Sequence, residues 1–345
     1  MESSIPGSGS REEINKMLNE IEFLPGDFEF AEKDEEEKQK IVKSDSMIKS
    51  TLNRFRQMKG PMAGVAAIIL IILMAAFGPY LSGYRYDEIV KVKIGNETYT
   101  ASNVSPTLSY EGQENGALQG KKFLFGTDSL GRDLFTRTLR GTRISLLVAF
   151  VTIIINLLIG LPFGLISGYK GGMTDTIMQR FAEIINSIPG LVIISVLAVF
   201  IPKGIGLVIV AMALMGWVEI SRITRASTLE IKEMEYVYAS RTLGSKTGRI
   251  LFKTIFPNAV GPIMTNLLFA IPGAIFTEAF LSFLGVGITL PDCSLGSLMA
   301  DGFANISFYP YQIIPQVLIL AILMVSFNAV GEGFEKALAP SAKDM

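Results

Sequence analysis

Three glutamates stand against or inside long apolar stretches of this chain: Glu183, Glu219 and Glu278. A carboxylate in such surroundings costs free energy and is a candidate for substrate contact. Glu183 and Glu219 equally fit a place near a membrane interface, and Glu278 one near the end of a span. Histidine is absent and Cys293 is the sole cysteine. Imidazole-activated nucleophiles, HExxH zinc chemistry, cysteine metal clusters and an intramolecular disulfide are therefore excluded. A nucleotide-binding GxxxxGK[ST] loop is missing too, since the near match GALQGKK at Gly116 has the wrong spacing. The remaining dense cluster of chemistry-bearing residues is EYVYASRTLGSKTGRILFKTIFPN, Glu235 to Asn258. It lies in an island from Arg222 to Lys253 that holds ten charged side chains.

The elements around that island are apolar. Hydrophobic residues make up 49% of the chain and charged ones only 18%, and the apolar residues are bunched into blocks, which points to a membrane. Gly60–Tyr84, Ile144–Tyr169, Thr254–Thr277 and Gly302–Gly331 contain no Asp, Glu, Lys or Arg. Each is long enough to cross a hydrocarbon layer roughly 30 Å thick. Ile184–Pro202 and Gly204–Val218, separated by Lys203 in the turn-like IPKGIG, read as a third and fourth span in a tight hairpin. The expected architecture is an all-α polytopic membrane protein with six transmembrane helices. Gly160, Gly164 and Gly168 recur every four residues and allow close helix packing. Pro162, Pro189, Pro262, Pro272 and Pro315 are expected to kink helices.

Charge sets the expected orientation, because basic loops are retained in the cytoplasm. Residues 1–59 read as a solvated tail with the run AEKDEEEKQK, followed by an interfacial helix with Ile48, Leu52, Phe55 and Met58 at helical spacing. Residues 60–84 form the first span and 85–143 an extracellular loop and re-entry segment. Residues 144–333 form a five-helix core containing a cytoplasmic hairpin at 222–258, and 334–345 a cytoplasmic tail. Both termini then lie inside. Lys121–Arg143 is rich in basic residues yet falls on the outer side, against the rule. YDEIVKVKIGNETYTASN alternates around Gly95–Asn96 and predicts a β-hairpin. The charges show no basic field of the kind nucleic acid requires.

Within the island, Met234, Val237 and Tyr238 make one apolar stripe, and Leu251, Phe252, Ile255 and Phe256 another. Two short helices are expected, broken at LGSKTG: Gly244 ends the first, Ser245 or Thr247 caps the second, and Pro257 marks entry to the fifth span. YASRTLG followed by TIFP resembles the EAA motif of permease subunits in binding-protein-dependent ATP-binding-cassette importers. FLFGTDSLGRDLFTRTLRGTRISL, Phe123 to Leu146, is similar to the GTDxxGRDxxSRxxxGxRxSL signature of the peptide and nickel branch, and EAFLSFLGVG to the end of its fifth span. The form EYVYASRTLG…FPNAVGPI is most similar to C-type subunits of oligopeptide and dipeptide permeases. Tyr238, Ser240, Thr254 and Leu295 depart from the family pattern.

The resemblance implies the type I permease fold of these importers and a role as half of a translocation pathway. It implies coupling to cytoplasmic ATPases through Glu235, Tyr238, Ala239, Ser240, Arg241, Gly244, Ser245, Lys246 and Pro257. It implies as partners a second homologous permease subunit, two ATPase subunits that bind ATP and magnesium, an external lipid-anchored or periplasmic binding protein and a peptide substrate, in a bacterial cytoplasmic membrane. No cofactor is expected in this chain itself. The same machinery moving nickel or another small solute is the alternative. An ion-coupled carrier would instead need polar groups at mid-membrane and no docking hairpin.

Overall fold

The computed structural model describes residues 47–94, 97–106 and 122–338. The acidic run, the Gly95–Asn96 turn and the near match at Gly116 lie outside the described residues. Helix α1, Met47–Arg56, covers part of the segment expected at the interface, with Phe55 buried and Leu52 exposed. Helices α2 (Lys59–Leu81), α3 (Leu134–Lys170), α4 (Gly172–Asn186), α5 (Gly190–Phe200) and α6 (Ile205–Ile231) follow. Helices α7 (Glu235–Thr242) and α8 (Thr247–Arg249) lead through a π-helical turn, Ile250–Ile255, into α9 (Phe256–Phe283). Helices α10 (Leu295–Ala304) and α11 (Ile314–Leu338) complete the described chain.

Among the described residues, five helical runs are long and apolar enough to cross a membrane, and six if α4 and α5, bent by 79°, form one span. The bend falls at Pro189, the N-cap of α5 and one of the prolines expected to kink a helix, and it divides the expected span Ile184–Pro202 between two helices. The second span starts at Leu134 rather than Ile144, because Asp133 caps α3 by accepting a hydrogen bond from the Thr136 N–H at 2.8 Å. The sixth starts at Ile314 rather than Gly302. Gly302 belongs to α10, which ends at Ala304 with Asn305 as its C-cap, and Pro310 and Pro315 then occupy helix starts, where proline's missing N–H is harmless. Pro162, Pro262 and Pro272 do lie inside helices.

Helix α3 has 37 residues, roughly 55 Å at 1.5 Å per residue, and is the spine of the bundle. It packs closely on α6 because Gly160, Gly164 and Gly168 line the seam; a Cβ at any of them would run into α6 at Trp217, Ser221 or Thr228. Helix α2 lies along α11, where Gly64 faces the Ser326 carbonyl. A buried apolar cluster joins α3, α6, α9 and α11 through Leu165, Ile220, Ile263, Ile275 and Leu323.

At the end of the bundle where α3 begins, strands β1 (Lys91–Ile94) and β2 (Glu97–Thr100) pair antiparallel, Val92 opposite Tyr99, as the alternation predicts. Phe123, fully buried, stacks on Tyr84 beneath them at 5.3 Å. The arginines that offended the charge rule are all engaged here. Arg132 pairs with Asp128 at 2.7 Å, and Arg137 lies 3.4 Å from the same carboxylate while donating to the Tyr86 carbonyl. Arg140 pairs with Asp292 at 3.1 Å and covers the Tyr86 ring. Arg143 donates to the carbonyls of Ala75 and Ala76 at 2.8 Å each. Pro79 has no N–H for the Ala75 carbonyl four residues earlier, so Arg143 supplies the donor that the proline removed. Basic residues consumed by folding cannot report on orientation.

This compensation is measurable in a double-mutant cycle. Arg143→Leu should destabilise the purified protein by about 1.5–3 kcal/mol, the worth of a charged hydrogen bond. In a Pro79→Ala background, where the helix satisfies its own carbonyl, thermal unfolding should show a smaller loss.

Candidate functional site

The charged island is less a loop than the continuation of a spanning helix. Helix α6 runs on past Arg222 to Ile231, so only the residues beyond it form the hairpin. Helix α7 opens with Glu235 in its first turn and closes with Arg241 in its last, both favourable to the helix dipole. It ends in a Schellman turn: Gly244, at φ +75°, donates to the Arg241 carbonyl at 2.9 Å, and Ser245 donates to the Ser240 carbonyl at 3.2 Å. Gly244 therefore stops the helix as its position suggests. The expected caps do not form, since the N-cap of α8 is Lys246 and neither Ser245 nor Thr247 provides a capping side chain. The backbone then passes into the π turn, where Phe256 N–H reaches the Leu251 carbonyl, just before Pro257. Proline's ring and missing N–H disfavour tight α geometry in the preceding turn, and a wider turn relieves both.

Burial divides the hairpin into a seat and a face. Val237, Ile250, Leu251 and Ile255 are buried against Leu165 of α3, Ile231 of α6 and Ala259 of α9. Met234, Tyr238 and Phe252, expected in the same stripes, point outward instead; a single helical period cannot tell which edge of a short stripe is covered. Glu235, Tyr238, Ala239, Arg241, Gly244, Lys246 and Pro257 are exposed, and Ser240 and Ser245 half-buried. All nine expected coupling residues thus lie at the surface of one hairpin. Leu243, outside the nine residues expected from the motif, is 86% exposed at its tip. A leucine before the turn glycine was the available signal.

Polar contacts tie this hairpin to the spanning helices. The Arg241 guanidinium sits 4.9 Å above the Tyr169 ring at the end of α3, and its Nε donates to the Tyr169 hydroxyl at 3.3 Å. The Tyr238 hydroxyl donates to Glu233 at 2.6 Å, and that carboxylate raises the phenol's pKa above its ordinary value. Lys232 donates to the Gly168 carbonyl at 3.2 Å. Two turns behind, Arg225 of α6 grips Asp175 of α4 through two hydrogen bonds, at 2.7 and 2.5 Å, and Asp175 also accepts from Ser167 of α3. The corner between α3 and α4 is thereby locked to the root of the hairpin.

A cavity of about 800 Å³ opens between α3, α5, α6 and α9. Glu219 and Arg222 line it, so one of the three glutamates singled out in the sequence does face a ligand-sized space. Glu278 does not: fully buried, it accepts hydrogen bonds from Ser145 at 2.5 Å and Ser282 at 2.8 Å and joins α3 to α9. Glu183 is exposed and pairs with Arg180 at 2.7 Å.

Comparison with known proteins agrees with this geometry. A family model described as the binding-protein-dependent transport system inner membrane component matches residues 160–344, and one for the N-terminal transmembrane domain of oligopeptide transport permease C matches residues 46–104. The chain is 42% identical over 301 residues to the oligopeptide transport system permease protein OppC of Bacillus subtilis, covering 87% of this chain and 92% of that one. It is 38% identical to the dipeptide transport system permease protein DppC of the same organism, covering 84% of each. Among solved structures, the inward-facing MetNI methionine transporter matches with a TM-score of 0.50 at 20% identity, over 59% of this chain and 97% of that one, a likeness of fold.

Because Gly244 is left-handed with open space where a Cβ would stand, strain alone should govern its replacement. Gly244→Ala should weaken the turn by about 1 kcal/mol and Gly244→Asn by less. Amide hydrogen exchange at residues 244 and 245 should rise accordingly.

Proposed function

This chain belongs to the family of binding-protein-dependent transport system inner membrane components, and from that premise we propose that it is the C-type permease subunit of an ATP-driven importer of di- or oligopeptides. The observation that carries the coupling role is the hairpin itself: a rigid turn with an exposed face, seated on the ends of α3, α6 and α9. Its partners are two cytoplasmic ATPase subunits, which bind ATP and magnesium and perform the hydrolysis. A second, homologous permease completes the pathway, and an external binding protein delivers cargo. The setting is a bacterial cytoplasmic membrane with both termini inside. The relatives named for oligopeptide and dipeptide transport support peptide over nickel as cargo.

Mechanically, the exposed Leu243, Tyr236 and Tyr238 supply an apolar face for a groove on the ATPase, while Glu235, Arg241 and Lys246 supply charges at its rim. When the ATPases close, the hairpin moves as a body. Its buried seat and the Arg241–Tyr169 and Lys232–Gly168 contacts pass that displacement to α3 and α6, and the spans rock between inward-open and outward-open arrangements. The Arg225–Asp175 grip carries α4 with them.

Gly244→Pro replaces φ +75° with a value proline cannot match, and should abolish ATP-driven peptide uptake by the reconstituted complex while the chain still inserts and co-purifies with the second permease. Undiminished uptake would rule the coupling role out.

A further inference from the structure

The cavity between α3, α5, α6 and α9 is mostly apolar, yet three carboxamides are set into its wall: Asn156 on α3, Asn186 at the end of α4 and Asn266 on α9. Asn156 is 93% buried, and its Oδ1 has no partner; the same holds for Oγ1 of Thr152, one turn earlier on the same lining face. Asn156 is held in place from across the seam, because Gly216 of α6 leaves room for its carboxamide where any Cβ would collide. Asn266 spends its amide nitrogen on the Pro262 carbonyl at 3.1 Å, which keeps its oxygen free to accept. Charge enters only through Glu219 and Arg222, three residues apart on α6 and nearer its hairpin end. Unpaired polar groups between membrane helices are costly unless some state of the protein pairs them.

We propose that Asn156, Asn186 and Asn266 hold passing peptide through its main chain, a reading that rests on the peptide-import function above. A carboxamide matches a peptide bond in kind, offering one acceptor and two donors without the desolvation cost of a charge. It binds every residue's main chain alike, and the apolar wall around it accepts side chains of any type. A divalent metal cargo held by the protein would call for converging carboxylate, imidazole or thiolate ligands. Among the described residues no group of three or more His, Cys, Asp or Glu side chains converges.

The test uses the complete complex in vesicles with its binding protein, comparing uptake of tri-alanine with its backbone N-methylated analogue. The binding protein's own preference is common to every variant and cancels when the uptake ratios are compared. The Asn186→Ala/Asn266→Ala double variant, at exposed positions that need not disturb packing, should lower the tri-alanine preference by about fivefold, and adding Asn156→Ala should lower it further. Asn266→Gln, which retains the carboxamide, should restore part of it. A ratio equal to wild type in both the double and triple variants, including one where both uptake rates fall together, overturns the carboxamide role while leaving peptide import intact. A wild-type complex that moves neither peptide overturns the import reading and this one with it.

Discussion

The structure depends on one constraint: a short water-facing hairpin must be attached to membrane helices without freedom to pivot. Four buried side chains, Val237, Ile250, Leu251 and Ile255, provide the seat, and the left-handed Gly244 provides a turn whose hydrogen bonds are all internal to the hairpin. Removing either leaves the other without purpose. A well-seated hairpin with a loose turn would absorb displacement, and a stiff turn on a loose seat would not pass it on. The polar contacts to Tyr169 and Gly168 sit where the long α3 helix ends, so the hairpin is tied to the spine of the bundle rather than to a peripheral span.

The opposite end of the bundle follows the reverse logic. There the basic side chains are spent on local structure, capping a proline-interrupted helix, neutralising Asp128 and Asp292, and covering an aromatic ring. The hairpin end, by contrast, leaves most of its charged side chains at the surface. The cavity is bounded in part by α3, α6 and α9, the helices on which the hairpin is seated.

Much of this was legible in the residues. Charge-free runs located most of the spans, the glycine period marked the α3–α6 seam, and the motif around Gly244 located the hairpin. What stayed hidden has physical causes. Composition does not sense a cap such as Asp133, so the charge-free run begins ten residues after α3 does. It does not register a helix that continues through charged residues, so the apolar run stops at Val218 while α6 runs on to Ile231. Apolar residues of α10 and the last span share one charge-free run, which cannot reveal a turn at Asn305. The Arg143 contact with Ala75 spans 68 positions of chain, and no local pattern encodes it. The cavity's carboxamides come from three helices whose meeting only tertiary packing determines.

The central claim concerns which side of the membrane the turn occupies. Cys293 is buried, so a cysteine placed at Ser245 or Lys246 gives a clean signal with a membrane-impermeant maleimide. The account predicts labelling in inside-out vesicles and none in intact cells. Labelling in intact cells would put the hairpin beyond the reach of any cytoplasmic ATPase and contradict it.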